Sequence, residues 1–418
     1  MFLWMFFIVA SSGVTAAEQS QIRVTTDFPG GSAEVVDLDA ASQTIHIHPA
    51  LNAGRGWPCW WYLRVDGLDE AKPITLKVSA HPKPYRATQI LSASWAQPQR
   101  AAISTDDVTF TQTPPAKIGK DRIAVYTFNA PAKRIWLAWG PPFVPSHAED
   151  VLNRIANKVP GSERFELAKT LGGRPVNGIR IGGGTKSKPA PFGVWVQARQ
   201  HAWESGGCWV GRGFIEWAAS DDPEAVKLRE LATIHYVPIM DVDNAAMGAG
   251  GKEAVPRDHN RDWSDKPVYP EVAAAQKRLI ELDAKNLLHV FIDLHNPGPG
   301  ERRPYFFGPF DLPQMSPMHQ RNYADWIGLA ARSINGPLAL LPEYKIASYI
   351  KTDEERLRMS SNWVRHHSQS YVISGTLETV WNTTHSTQVG YQTVGRQLAQ
   401  ALARYLAANP TRPVGEGR

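Results

Sequence analysis

The sequence predicts an antiparallel β-sandwich followed by an α/β domain built on a mixed, mainly buried sheet. Three observations carry this. The chain has 418 residues, 43% hydrophobic and 20% charged, more than one hydrophobic core usually serves. From about Gln21 to Trp139, short segments alternate apolar and polar residues between Gly, Pro and Asp breaks, the period of half-buried strands. After Ser146 short β-rich apolar runs alternate with stretches of helical spacing, the pattern of a sheet covered by helices.

Taken in order, residues 1–17 hold an apolar stretch from Phe2 to Ala10 and then small residues, ending in Val14-Thr15-Ala16-Ala17. This reads as a signal peptide. The stretch is too short to span a bilayer, so the expected location is periplasmic or secreted, with no stable membrane span after signal removal. Residues 18–142 form the expected sandwich, with strands such as Thr44-Ile45-His46-Ile47-His48, Trp60 to Val65 and Ile74 to Val78. A Pro-rich passage, Trp139 to Pro145, marks the boundary. Residues 143–410 form the α/β domain. Ser146 is placed to cap a helix over residues 147–158. Apolar runs at 192–196, 234–240, 287–294 and 371–377 read as strands, and 270–284, 323–333 and 390–407 as helices. Gly182-Gly183-Gly184-Thr185-Lys186 lacks the spacing of a phosphate loop and reads as a hairpin closure after Val176 to Ile181.

Composition excludes several classes. Lys plus Arg number 45 against 40 Asp plus Glu, a net +5, with no concentrated basic run, so nucleic acid is not an expected partner. Two cysteines supply neither a disulfide framework nor a four-thiolate metal site. Cys59 and Cys208, each followed by a tryptophan, read as buried free thiols. Oligomeric state is not legible. The 15 tryptophans exceed what core filling alone demands, and Trp203, Trp263 and Trp381 are placed to frame a site.

In α/β sheets, ligands gather at the carboxyl ends of strands. There the sequence places His201 and Glu204, His295 and Glu378, after three different apolar runs. Two histidines and a carboxylate match a catalytic zinc site, which keeps one position open. Glu378 is left as a free base. Asp293, two residues before His295 on the same strand face, is placed to orient an imidazole.

At these residues the chain resembles the zinc metallocarboxypeptidases, or funnelins. The matching pieces are His201-Ala202-Trp203-Glu204, Asp258-His259-Asn260-Arg261-Asp262-Trp263, Asp293-Leu294-His295 and Thr376-Leu377-Glu378, in family order. Upstream, Phe28-Pro29-Gly30-Gly31, Trp60-Trp61-Tyr62 and Tyr126-Thr127-Phe128 are similar to the N-terminal sandwich of the cytosolic carboxypeptidase subfamily. The resemblance implies one Zn2+ held by His201, Glu204 and His295, with Glu378 as general base and acid. It further implies that Asn260 and Arg261 grip the free C-terminal carboxylate of a peptide substrate.

Two departures stand out. The family's Asn-Pro-Asp-Gly is here Asp241-Val242-Asp243-Asn244, and the subfamily's oxyanion arginine falls at about Gly251. The nearest cations are Lys252 and Arg257, and Lys252 is taken as the catalytic cation because Gly250-Gly251 lets the backbone approach. Arg365 or His366 turned inward would favour acidic terminal residues. Two other functions stay open: a zinc-dependent deacylase acting on small N-acyl amino acids, and a catalytically weakened binding protein of the same fold.

Overall fold

The computed structural model describes residues 22–185 and 187–408; the signal-peptide reading of residues 1–17 lies outside them. Before Pro145 the chain forms two five-stranded sheets. One has the order Arg23–Thr25, Tyr62–Asp66, Arg134–Ala138, Ala102–Ser104, Thr111–Gln112 and is antiparallel throughout. The other has the order Glu34–Asp39, Thr44–His48, Pro73–Val78, Ala124–Asn129, Lys117–Ile118. It departs from the expected pattern at one pair, because Thr44–His48 and Pro73–Val78 run parallel. Between them the chain visits the first sheet as Tyr62–Asp66, and such a crossover is what parallel pairing needs. Alternation sorts the faces: Ile45, Ile47, Ile74 and Leu76 join Leu63, Val65, Ile135 and Leu137 in one buried cluster. His46 and His48 lie on the opposite face and share the Ser79 hydroxyl at 2.8 and 2.9 Å.

The second half is built on an eight-stranded sheet in the order Glu163–Lys169, Pro175–Gly182, Ala232–Val237, Phe192–Ala198, Val290–His295, Ile373–Glu378, Tyr305–Phe307, Tyr344–Lys345. The four from Ala232–Val237 to Ile373–Glu378 are parallel neighbours, and antiparallel pairings flank them, which gives the expected mixed sheet. Phe192–Ala198, Val290–His295 and Ile373–Glu378 are buried at every position, as parallel strands covered on both faces must be.

Two local expectations are corrected. The first helix is Pro145–Lys158 with Val144 at its N-cap, not Ser146. Proline suits the first helical position, having a preset φ and no N–H to satisfy, and His147 Nδ1 accepts the Val144 N–H at 3.1 Å. The glycine run after Ile181 does fold back locally, with an antiparallel Gly184–Pro189 bridge and the Ala190 N–H donating to the Gly183 carbonyl at 2.9 Å, but this turn does not join two neighbouring strands of the sheet. Pro175–Gly182 pairs with Ala232–Val237, and Phe192–Ala198 lies one strand further on, so the run begins a crossover.

Helix Ser205–Ala218 leads away from the first proposed ligands and crosses Gln388–Ala407 at very close range. A Cβ on Gly395 would meet the Val210 carbonyl oxygen at 1.9 Å, and one on Gly213 would meet that of Gln392 at 2.2 Å. Only glycine allows this approach. The two halves of the chain meet along a seam of tryptophans. Trp139 lies 4.3 Å from Trp381 and 5.2 Å from Trp203, and Trp95 lies 5.7 Å from Trp203 between ring centroids. These distances suit tilted and edge-to-face aromatic contact. Cys59 and Cys208 are free and buried.

Candidate active site

Each proposed zinc ligand follows or ends a central strand. His201 and Glu204 sit in a tight turn after Phe192–Ala198, where Arg199 adopts a left-handed backbone with φ 62°. The fully buried Arg199 guanidinium pins this turn, donating to the carbonyls of Ala202, at 2.7 Å, and Phe143. His295 and Glu378 are the last residues of Val290–His295 and Ile373–Glu378. The strand register brings them side by side.

The three ligand atoms lie within 4.8 Å of one another. His201 Nδ1 is 2.8 Å and His295 Nδ1 2.6 Å from the two Glu204 carboxylate oxygens. The far nitrogen of each ring meets another carboxylate: His201 Nε2 to Asp258 at 3.0 Å, and His295 Nε2 to Asp293 at 3.0 Å. Such partners hold the proton on Nε2 and leave each Nδ1 with the lone pair a metal requires. Asp293 is itself held by Gln200 and by Ser360 Oγ at 2.5 Å. Gln200 in turn accepts from the Trp263 indole at 2.6 Å.

Opposite charges face one another across the group. Burial opposes the Glu204 charge, yet His201 and His295 outweigh it and hold the carboxyl down to about 2. Burial likewise opposes a charged His295, while Asp293 and Glu204 raise it well above the usual imidazole range. Glu378 differs. Burial pushes its carboxyl up to about 8, with His295 pulling the other way, and its Oε2 is buried without a hydrogen-bond partner. Two imidazoles backed by carboxylates, together with a third, ligating carboxylate, fit zinc.

A cavity of about 400 Å³ opens onto this group, lined by His201, Glu204, Glu378, Lys252, Trp203 and Tyr305 among others. A neighbouring cavity of about 510 Å³ holds Arg261, Arg257 and Asp258, and shares Lys252, Trp57 and Tyr349 with the first. Lys252 Nζ stands 3.5 Å from both His201 Nε2 and Asp258 Oδ2. Asn260 is buried beside His295, its Nδ2 3.5 Å from the ring and its Oδ1 taken by the Ser360 N–H at 2.9 Å. Arg261 Nη1 donates to the Asn260 carbonyl at 2.7 Å.

Other predicted residues fall elsewhere. Arg365 pairs with Asp311 at 2.9 Å, away from both cavities, and His366 lines a separate hollow with Trp263 and Trp363. Of the three tryptophans expected to frame the site, Trp203 lines the cavity. Trp263 supports Gln200 from behind, and Trp381 donates to the Pro297 carbonyl at 2.7 Å in the seam. Sequence reasoning missed Asp258, Gln200 and Arg199. Asp258 had a signal, standing at the head of the Asp258 to Trp263 motif.

Residues 148–273 match the zinc carboxypeptidase family profile. The chain carries a zinc carboxypeptidase domain. The matched stretch includes His201, Glu204, Asn260 and Arg261; His295 and Glu378 lie beyond it, on neighbouring strands of the same sheet. An uncharacterised protein of Zymomonas mobilis is 24% identical over 60% of this chain and 62% of its own. Cytosolic carboxypeptidase 2 of Danio rerio is 28% identical over 31% of this chain and 19% of its own. The chain therefore spans less than two thirds of either relative. Among solved structures, a metallo-carboxypeptidase from Burkholderia cenocepacia superposes with a TM-score of 0.79 at 20% identity, covering 93% of this chain and 99% of that one. A metallo-carboxypeptidase from Pseudomonas aeruginosa gives 0.74 at 20% identity over 92% and 100%. These likenesses establish the fold.

Proposed function

We propose that the protein is an exported zinc-dependent carboxypeptidase that hydrolyses the C-terminal peptide bond of peptides. The observation that carries the reading is the meeting of His201, Glu204 and Glu378 on one cavity wall, with the unpartnered Glu378 Oε2 beside the ligand group. Residues 1–17 support export to the periplasm or medium. One zinc per chain would be held by His201, Glu204 and His295. When bound, zinc supplies Lewis acidity toward a carbonyl oxygen and lowers the pKa of water toward about 7.

The chain's own residues supply the rest. Glu378, whose Oε2 has no hydrogen-bond partner, takes a proton from water and returns it to the leaving amine. Arg261 presents a guanidinium fork to the terminal carboxylate of the peptide. Asn260, fixed by Ser360, sets the position of Arg261 through the carbonyl that Arg261 Nη1 contacts. Lys252 offers a positive charge at the edge of the cavity where a carbonyl oxygen gains negative charge. Peptides differing only in the last residue (Glu, Lys, Phe or Ala), assayed beside N-acyl amino acids, test the reading. Release of the last residue from any of the peptides, abolished by chelation and restored by zinc, is expected. Turnover confined to the N-acyl amino acids would replace the carboxypeptidase with a deacylase.

A further inference from the structure

The cavity wall is not made by the zinc carboxypeptidase domain alone. Trp57, from the N-terminal half, lines both cavities. Its loop runs beside the Lys252 segment in a ladder of three backbone hydrogen bonds. The Trp57 N–H donates to the Lys252 carbonyl at 3.0 Å, the Gly251 N–H to that of Arg55 at 2.9 Å, and the Val255 N–H to that of Gly54 at 2.7 Å. The Trp57 ring centroid is 5.5 Å from Lys252 Nζ, within the range of a cation–π contact. Little slack remains. Gly56 has φ +90°, and a Cβ there would meet the Lys252 carbonyl oxygen at 2.3 Å; a Cβ on Gly250 would meet that of Trp57 at 2.1 Å. On its other side the segment is tied to the ligand turn, the Trp203 N–H donating to the Gly250 carbonyl at 3.0 Å.

We infer that the Gly54 to Trp57 loop of the N-terminal half is a positioning element of the catalytic centre, holding the Lys252 ammonium at the cavity that contains Glu378. A lysine head on a four-carbon stem samples many rotamers when unrestrained, and a charge aimed in advance at the reacting atoms stabilises a transition state more than one that must be recruited. The backbone ladder fixes where the stem begins, and the Trp57 indole limits where the head goes. Gly56 and Trp57 are positioning residues, and the inference rests on the carboxypeptidase reading in which Lys252 serves the oxyanion.

The test uses the full-length, zinc-loaded protein as parent, Gly56→Ala, Trp57→Ala, Trp57→Phe and Lys252→Ala, with Ile45→Ala as a variant of the same half's core away from the loop. In Gly56→Ala and Trp57→Ala, kcat is expected to fall about tenfold or more, with KM little changed and zinc content equal to the parent. Trp57→Phe is expected to recover most of the rate, and Ile45→Ala to lower thermal stability without lowering kcat. Amine labelling read by mass spectrometry should show Lys252 reacting faster in Trp57→Ala than in the parent. Should Gly56→Ala fail to fold, the two Trp57 variants and the labelling decide. A large loss in Lys252→Ala with kcat within about twofold of the parent in Trp57→Ala, or unchanged labelling of Lys252, overturns the inference alone. Lys252→Ala at parental kcat overturns both the oxyanion assignment and the inference. If the zinc-loaded parent cleaves no peptide, the carboxypeptidase reading fails and the labelling still decides whether the loop holds Lys252.

Discussion

His295 and Glu378 stand opposite each other in register at the carboxyl ends of neighbouring parallel strands. One faces the ligand group and the other ends in a buried, unpartnered oxygen. Glu378→Gln keeps size and burial but removes the proton acceptor. It is expected to lower kcat by about 10²-fold or more while zinc content stays at one per chain, measured by steady-state kinetics and metal analysis. Parental rates in this variant would show that another group is the base.

Asp293 reaches the metal group only through the His295 ring. Asp293→Asn is expected to weaken zinc affinity by about 10- to 100-fold, whereas His201→Ala removes a ligand and should leave the protein without zinc at micromolar metal. Competition with a chelator of known affinity ranks the two. Equal affinity in Asp293→Asn and the parent would mean that Asp293 does not orient His295, leaving Asn260 Nδ2 at 3.5 Å as the neighbour of its Nε2.

Arg261 is assigned to the substrate's end. The parent is expected to cleave a peptide with a free terminal carboxylate and to spare the same peptide amidated. Arg261→Ala should cut kcat/KM on the free acid by about 10²-fold, equivalent to about 2.7 kcal/mol, mostly through KM. Equal cleavage of acid and amide would remove the clamp from the mechanism.

Away from the ligands, His259 is fully buried with Glu271 at 2.8 Å, Asp241 at 3.6 Å and the Tyr269 ring stacked at 3.7 Å. Burial opposes its charge, but Asp241 and Glu271 prevail and raise the imidazole to about 9. A group whose folded pKa lies above its unfolded value of about 6.5 stabilises the fold below pH 6.5 and loses that contribution as pH climbs through 9. The thermal midpoint is therefore expected to fall between pH 6.5 and 9 in the parent. His259→Gln should be less stable at pH 6 and show a flatter slope across that window. Parallel slopes would assign the pH dependence to other groups.

The helix crossing at Gly395 admits no side chain. Gly395→Ala drives a Cβ to within 1.9 Å of the Val210 carbonyl oxygen, and overpacking of this kind costs about 1–3 kcal/mol or more. A lowered midpoint in thermal or urea unfolding is expected. An unchanged midpoint would mean that the two helices slide apart at little cost.

Some of this was legible in the sequence. His201, His295 and Glu378 could be found because a buried parallel strand is a continuous apolar run, and the residues just past its end are the ones a sheet presents to a ligand. Helix Pro270–Ala284 was legible to the residue from its spacing. What stayed hidden depends on partners remote in the chain. Alternation marks Thr44–His48 and Pro73–Val78 as strands but says nothing of their parallel pairing. Gln200 looks like any residue beside a histidine until Asp293 and Trp263, both more than sixty positions away, close around it. Arg365 was ambiguous because it lies on helix Ser360–His367 and its partner Asp311 comes from a turn remote in the chain.

The tryptophan seam ties the fate of one half to the other. Trp139 and Trp381 are remote in the chain and tilt against each other at 4.3 Å, close enough for their excited states to mix and give an optical signal that neither ring has alone. Pulling the halves apart would also wet Trp203, which stands between His201 and Glu204 in the chain and packs on Trp139 at 5.2 Å. The far-ultraviolet circular dichroism band of this pair is thus a gauge of whether the two halves stay docked, readable in a sample to which no substrate has been added.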